Sequence, residues 1–324
     1  MASQGRLTLP VIQPAMQVSF HYRLQAIRDQ YLHEALWAAI GQLDLKLLDK
    51  ELAAHVSAVG LKKAAKFGLR GEVFFAVPCL LYAKPSLLGY YRLLLGFSQK
   101  EFYSKGPFGR FRRMEEAGDV SPQTRAAVPT LCKSLIGSAE VLVDRIDTLS
   151  LEVVHDLQIL TLGPQMRGRE STKLGQKATQ EVFDLIKSIV GRYIKEATNR
   201  TILLENESKR IVVIEFASDP DVRVSERLSS GVRPLVSIEV KGGTDFSNVH
   251  NRLGEAEKSH QKARARGFFE FWTILRVNVD PALAKRESPT TSHFFNLDEI
   301  RKRNTKAATQ FREMLCSMMG IRIR

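Results

Sequence analysis

Ser218-Asp219-Pro220-Asp221-Val222-Arg223-Val224, followed downstream by Val236-Ser237-Ile238-Glu239-Val240-Lys241-Gly242-Gly243, is the pair of segments that decides how this chain is read. Side chains alternate between the two faces of a strand. In the second segment Val236, Ile238 and Val240 share one face, and Ser237, Glu239 and Lys241 share the other. In the first, Val222 and Val224 oppose Asp221, Arg223 and Ser225. A hairpin through Ser229-Ser230-Gly231 turns the apolar residues to a core and gathers Asp221, Glu239 and Lys241 on one face. Two carboxylates and an ammonium on a sheet suit Mg²⁺-dependent phosphodiester hydrolysis. Mg²⁺ is a hard cation that takes one or two carboxylates together with waters and substrate phosphate. Asp221 and Glu239 are the candidate carboxylates, and the carbonyl of Val240 is a candidate third oxygen. Such an ion polarises the phosphate and acidifies a bound water. Lys241 then orients or deprotonates that water, or neutralises charge on the phosphorane, and the sequence does not choose among these roles. A bare Glu-x-Lys is common on a solvated sheet face. The upstream Pro220-Asp221 adds weight, and so does Gly242-Gly243, which ends the strand and lets another backbone approach closely.

Working outward, the pattern predicts a helical region followed by a mixed α/β core. Apolar residues recur at helical spacing between Phe20 and Ala58, as in Leu24, Ile27, Tyr31 and Ala35. Further helices are expected over Ser86–Phe102 and from Ser121-Pro122 to about Ile146, with a loop from Ser104 to Gly118 between them. Gly163 to Gly175 reads as a polar, basic connector, overlapping the start of a helix over Ser171–Ala197. Strands follow at Thr201–Leu204, Ile211–Phe216, Asp221–Ser225 and Leu235–Lys241. A helix over Ser247–Arg266, a strand over Phe269–Val277 and a last helix capped by Asp298 complete the chain. The expected division is a helical part over 1–165 and a catalytic core over 166–324.

Composition sets the class. The chain has 324 residues, 44% hydrophobic and 26% charged, which excludes a disordered chain, a fibre and a disulfide-stapled mini-protein. The net charge of +13 points to a polyanionic partner, with nucleic acid first and an anionic membrane surface second. Cys79, Cys132 and Cys316 are odd in number and lack metal-ligand spacing, which fits a reducing, intracellular compartment. No signal-peptide pattern follows Met1, and the most apolar run, Val73–Ala83, is too short to span a bilayer, so no membrane segment or membrane partner is expected.

With these residues in view, Pro220-Asp221 … Glu239-Val240-Lys241 resembles the PD-(D/E)xK nuclease signature, and the surrounding order of helix, three strands, helix and strand is similar to that superfamily's core, a mixed central sheet flanked by helices. The stretch Ile238-Glu239-Val240-Lys241-Gly242-Gly243-Thr244-Asp245, continuing through Ser247–Arg252 to Gly254–Lys262, resembles Type II restriction endonucleases of the XcyI/XmaI-like group, which recognises CCCGGG. The resemblance is firm over about Phe216–Ala263. It implies Mg²⁺-dependent, sequence-specific cleavage of double-stranded DNA leaving 5′-phosphate ends, by a homodimer acting on a palindrome. It also implies a bacterial, cytoplasmic restriction system with a DNA methyltransferase acting on the same site. Asp219 and Asp221 both remain candidates for the first carboxylate and metal ligand. Asp221 is preferred because it follows Pro220 and shares a face with Arg223, and the orientation of Glu215 stays open.

Candidate DNA contacts lie in several places. Phe97 to Arg113 interleaves aromatics with Lys100, Lys105, Arg110, Arg112 and Arg113, which suits guanine readout by arginine. Its plainer reading is a helix end packed by Phe97 and Phe102 beside a basic loop. Arg167 and Arg169 in the connector, and His250, Lys258 and Lys262 on the helix after Lys241, are candidate phosphate contacts or plain surface. His260 falls on the stripe of Val249, Leu253, Ala256 and Ala263, which favours a buried, hydrogen-bonded histidine. Glu255 and Glu257 are read as partners of Lys258 and Lys262, with assistance to a metal as the alternative. Two other functions fit the same residues: a repair or recombination nuclease recognising DNA structure, and a non-catalytic DNA-binding protein.

Overall fold

A computed structural model describes residues 14–104 and 106–323 of the chain. The chain divides into two compact units, Met1–Gly168 and Arg169–Arg324.

The first unit is helical: α1 (Ala15–Tyr31), α2 (His33–Ile40), α3 (Leu45–His55), α4 (Ala58–Lys66), α5 (Pro78–Ala83), α6 (Leu88–Leu94), α7 (Gln99–Ser104), α8 (Arg112–Ala117), α9 (Pro122–Arg145) and the first part of α10 (Leu151–Val190). Side-chain caps start several of them: Asp44 accepts from Lys46 N, Ser57 from Gly60 N and Ser121 from Thr124 N. The apolar run identified in the sequence becomes core, with Phe75, Ala76, Val77, Leu80 and Leu81 fully buried. Helix α9 is long and apolar enough to cross a bilayer, yet it packs Val128, Leu131, Leu135 and Ala139 into this core.

Three expectations are corrected here. The helix expected over Ser86–Phe102 is broken into α6 and α7, because Gly96 adopts a left-handed φ of 82° between them. The stretch Ser104–Gly118 is not a loop but a 3-10 turn, Gly106–Phe111, followed by α8. The connector Gly163–Gly175 is helical, lying inside the 40-residue α10. Pro164 lies inside this helix and leaves the Leu160 carbonyl without its usual N–H partner; Leu160 is on an exposed part of the helix.

The second unit is a seven-stranded sheet in the order β1 (Ile194–Ala197), β2 (Thr201–Glu205), β3 (Ile211–Phe216), β4 (Val222–Leu228), β5 (Gly231–Lys241), β6 (Glu270–Leu275) and β7 (His293–Asn296). The expected helix to Ala197 ends at Val190, and β1 forms instead. Its exposed Lys195 and Glu196 are charges of the kind that blunt a sheet edge. Strands β1 to β5 pair antiparallel, whereas β6 and β7 add in parallel after α11 (Val249–Ala265) and α12 (Pro281–Glu287). Helices α13 (Leu297–Arg301) and α14 (Lys306–Met319) close the chain. Asn296, and not Asp298, caps α13, and Thr305 caps α14.

The core lies on one face of the sheet. Val182, Phe183 and Ile186 of α10 and Phe311 and Leu315 of α14 pack with Val222, Val224, Val236, Ile238, Val240 and Trp272. The other face of β5 and β6 is covered by α11, whose Val249 and Leu253 pack with Leu275 and whose Ala263 packs with Phe271, and between these lie polar contacts. His260, fully buried, lies 3.3 Å from the Ser237 hydroxyl and 2.9 Å from that of Thr273. Burial lowers its pKa to about 4, so the imidazole is neutral at ordinary pH.

Candidate active site

The hairpin forms as the turn residues require. Leu228 pairs with Gly231, and the ladder runs to its last pair, Val222 with Ile238. Beyond that pair β5 continues and β4 does not. The incoming chain passes through a cis Asp219–Pro220 peptide, and the Asp221 carboxylate takes the place of a strand partner, its Oδ2 accepting from Val240 N at 2.8 Å. In an extended strand the N–H and C=O of one residue point to the same edge. The Val240 carbonyl therefore faces the same unpaired edge as Asp221.

Glu239 is buried beside this edge. Its Oε2 lies 3.3 Å from Lys241 Nζ, and its Oε1 accepts a hydrogen bond from Ser259 Oγ of α11. Lys241 Nζ also lies 3.4 Å from Glu255 Oε2. Asp221, Glu239, Val240 and Lys241 thus meet at one end of the sheet. Burial first, then the neighbouring Glu239 charge, push the Asp221 carboxyl up to about 7, against the opposing pull of the Val240 N–H and Lys241. Burial disfavours the Lys241 ammonium, but the carboxylates of Glu239, Asp221 and Glu255 outweigh it and hold the group above the ordinary lysine range.

Asp219 is placed differently. Its Oδ1 accepts from Ser259 Oγ at 2.8 Å and its Oδ2 from Lys262 Nζ at 3.1 Å, while its backbone carbonyl accepts from Arg266 at 2.9 Å. The Ser259 hydrogen bond and the Lys262 charge hold its carboxyl below the usual range. Ser259 Oγ contacts both Asp219 and Glu239, and one hydroxyl hydrogen serves two acceptors.

The unpaired edge opens into a groove of about 790 Å³ lined by Gln176, Thr179 and Gln180 of α10, by Asp221, Val240 and Lys241, and by Arg200 and Arg223. Gly242 makes the α10 wall possible. A Cβ there would stand 2.1 Å from Ala178 Cβ and 2.9 Å from the Leu174 carbonyl. The close approach expected of the glycine pair is therefore realised against α10. At Gly243 a Cβ would meet the Arg252 guanidinium, whose Nη1 donates to the carbonyls of Gly243 and Asp245 at 2.9 and 2.7 Å.

Two carboxylates and a main-chain oxygen at one edge form a hard-oxygen donor set that fits Mg²⁺ better than a softer ion. Among the described residues no group of three or more His, Cys, Asp or Glu side chains is placed to hold a metal. Any ion here would rest on that smaller set and on its own waters.

The remaining candidates are scattered. Lys258 is exposed on α11, Lys262 is tied to Asp219, and His250 is exposed with Nδ1 3.4 Å from Glu287. Arg112 pairs with Glu116 at 2.8 Å and Arg113 with Asp119 at 2.6 Å. Lys100, Arg110, Arg167 and Arg169 are exposed, and Lys105 lies outside the described residues. Phe102, Tyr103 and Phe111 are buried, and Phe102 stacks on Phe108 at 4.7 Å, so these aromatics serve packing, whereas Phe97 is exposed. Neither Glu255 nor Glu257 takes the expected lysine partner. Glu255 turns to Lys241, and Glu257 accepts from Thr290 N, Thr290 Oγ1, Ser288 and Gln261. Ser259 escaped the sequence reading, although its position three residues after Ala256 places a polar group on the buried stripe of α11, where it needs a partner.

No solved structure matches the chain. It is 40% identical over 316 residues to the Type II restriction enzyme Cfr9I of Citrobacter freundii, covering 95% of this chain and 96% of that protein. It is 39% identical over 328 residues to the Type II restriction enzyme XcyI of Xanthomonas campestris pv. cyanopsidis, covering 99% and 98%. Residues 21–322 match the XcyI restriction endonuclease family. A chain that carries the family match over nearly its whole length, and full-length likeness to two such enzymes, belongs to the XcyI family of Type II restriction endonucleases.

Proposed function

We propose that this chain hydrolyses phosphodiester bonds of double-stranded DNA at a G/C-rich palindrome such as CCCGGG, with Mg²⁺ as cofactor and a PD-(D/E)xK active site. The observation that carries the reading is the Asp221 carboxylate seated on Val240 N where β4 ends, beside Glu239 and Lys241. Asp221, Glu239 and the Val240 carbonyl hold the ion. When bound, Mg²⁺ supplies Lewis-acid polarisation of the scissile phosphate and a more acidic water. As water adds to phosphorus, Lys241, charged between Glu239 and Glu255, donates to the non-bridging oxygen that gains charge; the P–O3′ bond then breaks, O3′ leaves as a 3′-hydroxyl with a proton from solvent water, and the other end keeps the 5′-phosphate. Ser259 fixes one oxygen of Glu239 and leaves the other toward Lys241. Asp219, held by Ser259 and Lys262, anchors the turn to α11, so Asp221 is the first carboxylate.

The part over 1–165 serves recognition or dimerisation, with Lys100, Lys105, Arg110, Arg112 and Arg113 toward DNA, and Arg167 and Arg169 of the connector with His250, Lys258 and Lys262 are DNA contacts of the core over 166–324. A palindromic target is matched by a two-fold homodimer. The bacterial source of the relatives and three buried free cysteines support a cytoplasmic restriction system with a methyltransferase of the same specificity.

The test is digestion of two plasmids, one carrying a single CCCGGG and one lacking it, with MgCl₂ or with EDTA. The expected product is the linear form of the first plasmid alone, with Mg²⁺ alone. A smear, or a preference for branched DNA, moves the protein to the repair nucleases. Lys241→Ala and Glu239→Ala should abolish cutting while retaining DNA binding. Asp221→Asn should do the same, and Asp219→Asn should cut. Cutting by Lys241→Ala at the parent rate removes the active-site assignment.

A further inference from the structure

Arg223 is a cation for which the hydrolytic site as drawn has no use. It stands two residues after Asp221 and on the same strand face, a separation of about 6.6 Å along β4. It lines the groove into which Asp221, Val240 and Lys241 open. Its ladder partner on β3 is Glu215, and the two side chains form a loose ion pair, Nη2 to Oε2 at 3.4 Å, with 36% and 39% of the side chains exposed. A pair this exposed contributes little to stability. Arg223 Nε is buried and has no hydrogen-bond partner, although buried donors are nearly always satisfied. A second cation, Arg200, lines the same groove and is exposed. The guanidinium therefore offers an unsatisfied donor and a weakly held charge on a partly exposed side chain, one strand step from the carboxylate edge.

We propose that Arg223 is a substrate-positioning residue that grips the phosphate next to the scissile one on the strand being cut. Guanidinium and phosphate match as a forked donor against paired acceptors. On DNA binding Glu215 gives up Arg223 to the phosphate, and the guanidinium turns outward so that the Nε–H also gains an acceptor. This fixes the backbone in register along β4, so that the scissile phosphate stands at Asp221 and Glu239. The contact is to backbone and carries no base information. The proposal rests on the nuclease reading above, and its test does not use cleavage.

The experiment is fluorescence anisotropy of the full chain with two labelled duplexes, one containing CCCGGG and one not, in metal-free buffer over a series of salt concentrations. Parent, Arg223→Ala, Arg223→Lys and Glu215→Gln are compared, each first shown to unfold in urea at the parent's midpoint. Arg223→Ala should weaken binding about tenfold at low salt on both duplexes, and lower the slope of log K against log salt by about 1. Arg223→Lys should keep the slope, because it keeps the charge. Glu215→Gln should bind as tightly as the parent or tighter, because it frees Arg223. An unchanged slope in Arg223→Ala overturns the proposal. Equal weakening by Arg223→Ala and Glu215→Gln also overturns it, because a role confined to the cross-strand pair predicts that result. Failure of the parent to bind either duplex would instead strike the nuclease reading.

Discussion

Gly242→Ala is the most demanding single change for this site. The added Cβ would lie 2.1 Å from Ala178 Cβ and 2.9 Å from the Leu174 carbonyl. Carbon atoms in contact prefer about 3.5–4.0 Å, so the end of β5 and α10 must separate by about 1.5 Å. Both partners are backbone or β-carbon, and neither swings aside as a long side chain would. Overpacking of this kind costs about 1–3 kcal/mol. The functional loss should be larger than the stability loss, because the displaced residue follows Lys241 directly, and misplacing a reacting group by about 1 Å costs on the order of a hundredfold in rate. Urea unfolding followed by circular dichroism gives the first quantity. Single-turnover cleavage at saturating enzyme gives the second, and anisotropy checks that DNA still binds. Ala178→Gly combined with Gly242→Ala removes the closer of the two clashes and should recover part of both losses. A Gly242→Ala protein that unfolds within about 0.5 kcal/mol of the parent and cuts at its rate would show that the contact with α10 does not position Lys241.

Three further outcomes are expected. His260 is neutral in the fold with a pKa of about 4, below its ordinary 6.5, so the unfolded chain binds the proton more readily. Its contribution is intact above pH 6.5 and is lost as pH falls toward 4, by about 3 kcal/mol at most. Urea midpoints across that window should fall for the parent and fall less for His260→Asn, and parallel curves would refute this. In the helical unit Arg92 and Glu115 are both buried, joined by Nε–Oε2 at 2.8 Å and Nη2–Oε1 at 2.7 Å, with Tyr103 and Gln99 also donating to Glu115. Glu115→Ala strands the guanidinium and should cost about 3–5 kcal/mol, and a loss under about 1 kcal/mol in thermal or urea unfolding would contradict it. Ser259→Ala leaves Glu239 Oε1 and Asp219 Oδ1 short of a donor. It should slow cleavage more than it weakens DNA binding, and an equal effect on both would point to general unfolding.

The site was legible because its chemistry is written in strand alternation. The period of two placed Glu239 and Lys241 opposite Val236, Ile238 and Val240, and the turn at Ser229-Ser230 together with a one-residue register shift between Val224 and Ser225, which the sequence did not show, brings Asp221 to Val240. What escaped was what distant elements contribute. Glu255 reaches Lys241, and Ser259 reaches Glu239, only because α11 packs back over β5 and β6, which no local pattern encodes. The Gly163–Gly175 segment misled because Gly and Pro punctuate chains on average, whereas here Leu162 and Met166 keep a buried stripe running past Pro164. In Phe97–Arg113, Phe102, Tyr103 and Phe111 turned inward and Arg112 and Arg113 found acidic partners, company that the local pattern does not encode. The asymmetry is physical. Alternation is a local property, whereas the company a side chain keeps depends on which surface lies above it.

The early end of β4 has a consequence of its own. Most sheets treat an unzipped main-chain edge as a hazard and cover it, but here the gap is the proposed reactive place. The single carboxylate at Asp221 occupies the donor that a longer β4 would have occupied and leaves the oxygen beside it open. Extending the hairpin by one more pair of residues would zip this seam shut and remove the proposed site. Length changes between Phe216 and Val222 should therefore be tolerated far less than their position outside the strands suggests.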